Sequence, residues 1–271
     1  MYRHHRFSLS YMLFLVSAGV ALVFIVAPLA GLFFSTHFPD LFATSSDIQV
    51  RRAIWMSLAV SAVTTLLAVL VAVPLAYLIA RHNFFGKGLV QGIIDLPIVI
   101  PHSAAGIAVL GLISRDSILG GWAQSIGMNL VDNPIAIGLA MAFVSIPFLI
   151  NAARDGFEAV PVRLEQAARC LGASSMKVFW SVALPLAKRS VVSGLILMFA
   201  RGMSEFGAVV IVAYHPMTAP VLIFDRFQSF GLAYARPVAV LFVGICLLVF
   251  IGLRLLGKKN ENPRYKNNKS K

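Results

Sequence analysis

A polar stretch, residues 158–185, interrupts the apolar sequence and reads EAVPVRLEQAARCLGASSMKVFWSVALP. Hydrophobic residues make up 59% of the 271-residue chain and charged residues only 13%, whereas soluble domains carry about 25% charged residues. The runs on both sides of the stretch are long enough to cross a bilayer, since about 20 apolar residues span the hydrocarbon core as a helix. The sequence therefore predicts an all-α membrane protein in which residues 154–189 form a polar loop between two spans.

Six apolar segments are long enough to be transmembrane helices, the form in which a chain satisfies all its backbone hydrogen bonds within one segment. The first has the basic start of a signal peptide, but its apolar run exceeds the roughly 7–15 residues of such peptides, so we expect it to remain as a span. We expect a single transmembrane domain over residues 1–271. The predicted spans are residues 11–34, 54–80, 89–113, 134–153, 190–213 and 237–256.

The distribution of Lys and Arg predicts the orientation, since cytoplasmic loops carry the excess of these residues. With the N-terminus inside, most of the 23 Lys and Arg residues fall on the cytoplasmic side, including those of the 154–189 loop and the tail 257–271. Both termini are thus predicted to be cytoplasmic, in a multi-pass protein of the cell membrane. The net charge of +12 follows from this topology and needs no nucleic-acid partner. The tail is expected to face anionic membrane lipids.

The polar loop is predicted to hold two short helices. Pro161 suits the start of the first helix, where a missing N–H costs nothing, and Gly172 suits the left-handed position after its end. Ser174 is the expected N-cap of the second helix, which Pro185 is expected to break. Apolar and polar residues of the first helix recur at helical spacing on separate faces. The apolar face holds Leu164, Ala167, Ala168 and Leu171, and the polar face holds Arg163, Glu165, Gln166 and Arg169.

Three interpretations of this loop compete. A helix-turn-helix would place a polar second helix in the DNA major groove, but Met176, Phe179 and Trp180 help to make that helix apolar nearly all round. A plain connection between two helices needs only about 2–8 residues, far fewer than this loop holds. The third interpretation is a docking element, because an amphipathic helix with small residues at its centre fits a groove in a partner protein.

Ionisable residues inside a membrane are costly and indicate functional sites. Arg201 and Glu205 lie one turn apart in the predicted fifth span and can neutralise each other along one helix face. One interpretation is a structural ion pair that locks this helix to its neighbours. The other is that Arg201 lends positive potential to an anion pathway, while Ser204 and the backbone at Gly202 and Gly207 supply hydrogen bonds or a bend.

The third predicted span contains DLPIVIPHS, residues 95–103. Pro97 and Pro101 remove two backbone donors, which kinks a helix and requires protein or water near the freed carbonyls. A kinked helix that lines a cavity fits a transporter, and Asp95, His102 and Ser103 are then candidate pathway residues. Irregular packing of the bundle also accounts for the prolines, and His102 also fits an ordinary packing role.

The loop resembles the EAA motif of ABC importer permeases, which is Glu-Ala-Ala, three residues, Gly, nine residues, Ile, one residue and Leu-Pro. The matching residues here are Gln166, Ala167, Ala168, Gly172, Val182, Leu184 and Pro185. Gln replaces Glu and Val replaces Ile, the spacing is intact, and Glu165 lies one place early. Residues 95–103, 199–208 and 213–226 look like the molybdate/tungstate permease branch, including its archaeal members. The resemblance covers nearly the whole chain.

The resemblance implies a type I ABC importer permease that works by alternating access. The chain would form a homodimer with one pathway at the two-fold axis, and the first span would wrap the partner subunit. Two cytoplasmic ATP-binding subunits would bind ATP and Mg, and an extracytoplasmic oxyanion-binding protein would dock on the other side. We expect no cofactor, metal or catalytic site in this chain. It is not expected to bind ATP itself, because its nearest approach to a phosphate-binding loop, residues 252–259, lacks the final Ser or Thr and follows no strand.

Two sets of residues carry the predicted function. The resemblance implies that the polar loop sits in a cleft of the ATPase, and its expected coupling residues are Arg163, Leu164, Glu165, Gln166, Ala167, Ala168, Leu171, Gly172 and Pro185. The candidate pathway residues are Asp95, Pro97, Pro101, His102, Ser103, Arg201, Ser204, Glu205 and Gly207. Sulfate permeases share the general plan, so sulfate or another oxyanion stays open as the substrate. An ATP-independent channel or a structural membrane subunit is the alternative from another class.

Overall fold

A computed structural model describes residues 9–259, and every regular element in that range is a helix, which confirms the all-α prediction. Within that range, five helical segments and one bent pair of helices are long and apolar enough to cross a membrane. The long helices are α1 (Leu9–Phe34), α3 (Ile48–Arg81), α7 (Pro134–Glu158), α10 (Leu184–Met203) and α13 (Leu232–Lys259), and the bent pair is α4 (Lys87–Val99) and α5 (His102–Ile113). The shorter helices are α2 (Phe38–Ser46), α6 (Ile118–Ser125), α8 (Val162–Cys170), α9 (Ser175–Val178), α11 (Val209–Val212) and α12 (Ala219–Phe230).

Helices α3, α7 and α10 form the centre of the bundle. Small residues let their backbones come close, as is usual between helices in membranes. A methyl group added at Gly194 of α10 would lie 2.9 Å from Cβ of Ala152 in α7. Around this contact, the buried cluster contains Ala72 and Ala76 of α3, Leu149, Ala153 and Phe157 of α7, and Ala187 and Met198 of α10. The three helices are therefore packed as one body.

Polar contacts distinguish the two ends of the bundle. At the end that carries α8, called the α8 end, Arg81 of α3 donates to the carbonyl of Val160 at 3.1 Å. At the opposite end, called the α12 end, Asp47 caps α3 by accepting from the N–H of Gln49 and also pairs with Arg226 of α12. Burial alone would raise the pKa of Asp47, but the hydrogen bonds from Gln49 and Arg226 outweigh it and hold the pKa below its ordinary value.

The prediction of one kinked helix over residues 89–113 is wrong. Helices α4 and α5 meet at a bend of 111°. Ile100 between them is extended, with φ −72° and ψ 148°, because a residue before proline is disfavoured in the helical region. Pro101 then takes the N-cap position of α5. Pro101 thus marks the end of one helix and the start of another, whereas Pro97 lies inside α4.

The predicted break at Pro185 is also wrong, as are the helical limits 190–213. The chain is helical from Ser175 to Met203. Residues 179–183 form a π-helical turn just before the proline, and such turns accommodate local changes in the backbone hydrogen-bond pattern. Because this turn shifts the hydrogen-bond pattern directly before Pro185, the missing N–H of the proline does not interrupt the helix. The helix instead ends at Met203, and residues 204–208 are not regular helix before α11 begins.

Helix α1 is apolar and stands apart from the central bundle. Its span Tyr11–Phe34 has a mean hydropathy of 2.6, and no residue of its apolar stretch is buried against the rest of the described chain. Lipid or another subunit must therefore cover it. Arg3 and Arg6, which belong to the basic start of the sequence, lie outside the described residues. The part of the predicted cytoplasmic tail beyond Lys259 also lies outside them.

Candidate functional site

Two interrupted helices meet at their breaks near the middle of the bundle. Gly207, in the break after α10, lies so close to the start of α5 that an added methyl group would be 2.7 Å from Cβ of His102. At the end of α10, a methyl group on Gly202 would lie 3.0 Å from the hydroxyl of Ser61 in α3 and 3.5 Å from that of Ser145 in α7. Ser61 and Ser145 lie well inside their helices. The breaks are therefore far from both ends of the bundle.

A charged cluster, defined by His102, Arg201 and Glu205, occupies this meeting point. Nη2 of Arg201 lies 2.7 Å from Oε2 of Glu205, and it lies 2.9 Å and 3.1 Å from the two ring nitrogens of His102. Nδ1 of His102 is 3.5 Å from the same carboxylate oxygen. The structure thus brings together three predicted pathway residues from two separate spans.

The environments of the three side chains differ sharply. The Glu205 side chain is 1% exposed, that of Arg201 25% and that of His102 43%. The other carboxylate oxygen of Glu205 accepts from the N–H of Ala208 at 2.9 Å, which satisfies a backbone donor in the break. Glu205 is therefore fully held by protein, whereas the side chains of Arg201 and His102 are partly exposed. A guanidinium group that stays partly accessible can donate hydrogen bonds to an anion.

The expected arrangement of Arg201 and Glu205 on one helix face requires a correction. Helix α10 ends at Met203, so Glu205 lies beyond the helix end. The ion pair forms because the chain turns there and Glu205 folds back towards the last turn of α10. Ser204 donates from its hydroxyl to the carbonyl of Arg201 at 3.2 Å and is exposed.

Asp95 makes a contact of its own, apart from the charged cluster. The Asp95 carboxylate accepts a hydrogen bond from Asn151 of α7 at 2.6 Å. Pro97 is buried, and Ser103 is exposed in the first turn of α5. Asp95 thus ties α4 to α7 rather than joining the charged cluster.

The packing of α5 against the break gives the first prediction. A methyl group at Gly106 would lie 2.8 Å from the carbonyl oxygen and 2.9 Å from Cα of Ala208, so Gly106→Ala forces the two backbones apart. We expect it to lower the free energy of unfolding by about 1–3 kcal/mol, seen as a lower melting temperature in detergent. The matched control is Gly111→Ala in the same helix, where nothing lies within 4 Å. Equal melting temperatures of the two variants would contradict this close contact.

The polar loop forms an exposed amphipathic helix at the α8 end. Pro161 is the N-cap of α8, and Gly172 after its end has φ +85°, so the left-handed position is confirmed. Leu164 is 43% and Leu171 89% exposed. Gln166, Ala167, Arg163 and Arg169 are exposed as well, and Ala168 is half-buried. Helix α8 therefore presents apolar and charged side chains that no part of the described chain covers.

Glu165 departs from the predicted division of faces. It is only 3% exposed and points into the protein, not outward with Arg163 and Gln166. Its carboxylate pairs with Arg81 at 2.7 Å and accepts from the hydroxyl of Tyr77 at 2.8 Å. Glu165, one place before Gln166, therefore offers no charge for an outward contact, because it is already bound within its own chain.

Sequence reasoning missed the partners that organise both regions. Tyr77 falls within the predicted span 54–80, Arg81 directly follows it, and Asn151 falls within the predicted span 134–153. A weak signal exists, since Tyr and Arg at positions 77 and 81 share one helix face and follow an otherwise apolar run. The contact to a residue 84 positions away is not readable from such spacing.

Interrupted helices that meet at a charged cluster, joined to an exposed amphipathic loop, define this chain as a membrane transport subunit. The chain belongs to the family of binding-protein-dependent transport system inner membrane components, whose sequence model matches residues 72–262. It is 44% identical to the molybdate/tungstate transport system permease protein of Pyrococcus abyssi, over 91% of this chain and 95% of that protein. The corresponding protein of Thermococcus kodakarensis is also 44% identical, over 92% and 98% of the two chains.

Solved structures show the same fold at low sequence identity. The crystal structure of a bacterial alginate ABC transporter in complex with alginate pentasaccharide-bound periplasmic protein contains a chain with a TM-score of 0.75 and 17% identity, which covers 94% of this chain and 95% of that one. A chain of the MetNI methionine ABC transporter has a TM-score of 0.59 and 15% identity, and the match covers 78% of this chain and 93% of that one. The fold is that of an ABC importer permease, as the resemblance implied.

Proposed function

We propose that this chain is the translocation subunit of an ATP-driven, binding-protein-dependent importer of molybdate or tungstate. The observation that carries the proposal is the partly exposed Arg201 at the meeting point of two interrupted helices, in a chain whose relatives are molybdate/tungstate permeases. Both anions present oxygen atoms that accept hydrogen bonds from a guanidinium group. Glu205 holds Arg201 in place and balances its formal charge, so the anion meets hydrogen-bond donors without being held tightly.

The proposed assembly is a homodimer with two cytoplasmic ATP-binding subunits and an extracytoplasmic oxyanion-binding protein. The apolar, uncovered α1 supports contact with a second copy in addition to lipid. The excess of Lys and Arg in the 154–189 loop supports a cytoplasmic α8 end and cytoplasmic termini. ATP and Mg belong to the partner subunits, since residues 252–259 of this chain lie within the continuous helix α13 and not in a loop that could surround phosphate.

Transport in this proposal follows alternating access. The exposed α8 docks in a groove of the ATPase as an amphipathic helix, with Leu164, Ala167 and Leu171 against the groove and charged residues at its rim. Nucleotide binding favours one arrangement of the spans, and hydrolysis releases it, so the charged cluster opens to one side at a time. The binding protein supplies the affinity, and the cluster gives the anion a transient contact on its path.

The proposal is tested by uptake into proteoliposomes that contain this chain, its cognate ATPase and ATP, with the cognate binding protein outside. We expect ATP-dependent uptake of labelled molybdate that excess tungstate suppresses and equimolar sulfate does not. The sulfate arm matters because a probable sulfate transport system permease protein of Chlorokybus atmophyticus is 31% identical over 82% of this chain. Sulfate uptake without molybdate uptake would contradict the proposed substrate. Uptake that needs no ATP would contradict the assignment as an ATP-driven importer.

A further inference from the structure

Three side chains form a buried junction beneath α8, here called the α8 latch and defined as Tyr77, Arg81 and Glu165. One carboxylate oxygen of Glu165 accepts from Nε of Arg81 at 2.8 Å and lies 2.7 Å from its Nη2. The other oxygen accepts from the hydroxyl of Tyr77 at 2.8 Å. Both oxygens of the carboxylate are therefore paired, and the forked geometry fixes its direction as well as its position.

The latch joins four parts of the chain. Arg81 also donates to the carbonyl of Val160, at the junction between α7 and α8. The ring of Tyr77 packs edge-on against Phe157 of α7 at 5.2 Å and against Phe179 at 5.0 Å, and Phe179 opens the π-helical turn that leads into α10. Helix α8 is thus fastened to α3, α7 and α10, the three helices that pack as one body.

The ion pair of the α8 latch is more deeply buried than ordinary surface ion pairs. The Arg81 and Glu165 side chains are 9% and 4% exposed. The pair Arg154–Asp155 at the same end is far more accessible, because its side chains are 21% and 65% exposed. An exposed pair is loosened by water and salt, whereas a buried charge that loses its partner is strongly disfavoured. The latch therefore resists separation of α8 from the bundle.

We propose that the α8 latch transmits the movement of α8 to the helix core, and that Glu165 is the positioning residue on which this transmission depends. The inference rests on the proposed function, in which an ATPase subunit moves α8. When α8 is displaced, Glu165 moves Arg81 and Tyr77 with it, and α3, α7 and α10 follow. Helix α10 has 20 residues, so it carries this displacement over about 30 Å to Arg201 at the charged cluster.

The proposal is tested in the complete transporter in proteoliposomes, with uptake and ATP hydrolysis measured on the same sample. Glu165→Gln keeps the size of the side chain and removes its charge. Its amide oxygen can still accept a hydrogen bond from Arg81, so we expect the complex to assemble and to hydrolyse ATP, while the number of anions transported per ATP falls about tenfold. Tyr77→Phe keeps both charges and removes one hydrogen bond, so it should lower the same ratio by about two- to threefold. Arg154→Gln, which breaks an exposed pair at the same end, is the control and should leave the ratio unchanged.

The outcomes separate the inference from the proposed function. An unchanged ratio of transport to hydrolysis in both latch variants would contradict the proposed role of the α8 latch, while the proposed importer function would still hold. Proportional losses of uptake and hydrolysis in Tyr77→Phe, matching a loss of assembled complex, would show that the latch serves stability alone and would also overturn it. If the wild-type complex shows no ATP-dependent uptake, the proposed function itself fails.

Discussion

Replacing Glu205 with glutamine is expected to reduce ATP-driven uptake about tenfold or more, which corresponds to about 1.4 kcal/mol. The carboxylate is buried and pairs with Arg201 and His102, so its neutral replacement frees Arg201 from its fixed position and leaves its charge unbalanced. A freed guanidinium either turns away from the pathway or holds the anion too strongly for release. Initial rates of molybdate uptake, normalised to the amount of assembled complex, measure the loss.

The assembly of this variant should be preserved. Glutamine retains nearly the same volume and an oxygen that accepts from the N–H of Ala208. The control is Glu158→Gln, which also removes the acid of an Arg–Glu pair spaced by four residues, but at a surface position where the atoms are 4.0 Å apart. If Glu205→Gln instead prevents assembly, or transports at the wild-type rate, the role of the pair in the pathway is contradicted.

The second large effect is expected from Ala167→Trp. Ala167 lies exposed in the middle of α8, between Leu164 and Leu171 on its apolar side. A groove that fits a methyl group cannot accept an indole without separation of the surfaces, so we expect the ATPase to be lost from the purified complex. Co-elution on size-exclusion chromatography measures this loss, and uptake should fall with it.

A matched substitution distinguishes docking from general damage. Ala43→Trp places the same side chain on an exposed position of α2, at the opposite end of the bundle, and should leave ATPase binding unchanged. Since neither alanine is buried, both variants should melt at the wild-type temperature. Retention of the ATPase by Ala167→Trp at wild-type stoichiometry would rule out α8 as the docking helix.

Much of the architecture follows from short-range features of the sequence. Apolar length predicts the spans, and Pro161 and Gly172 mark the ends of α8 within about one residue, because proline and glycine act through local backbone geometry. Arg201 and Glu205 were found because charged residues are rare inside apolar segments. Their contact is confirmed at 2.7 Å.

The errors arise where distant parts of the chain decide the local structure. Pro185 was expected to end a helix, but a π-helical turn before it absorbs the irregularity and the packed core keeps the helix continuous. The chain breaks fully at Pro101, where Gly207 and Ala208 from the break after α10 pack against α5. Glu165 was assigned to the outer face because its partners, Tyr77 and Arg81, are more than 80 positions away. No local pattern reveals such partners.

The central claim, that α8 docks on an ATPase subunit, is tested most directly through Cys170. This residue is exposed at the end of α8, whereas the other cysteine, Cys246, lies within α13. A photoactivatable benzophenone-maleimide attached to Cys170 in a Cys246→Ser background reports which protein lies beside the helix. The account predicts a covalent product with the ATPase subunit that disappears in Cys170→Ser. A complex that transports molybdate with ATP but gives no such product would contradict it.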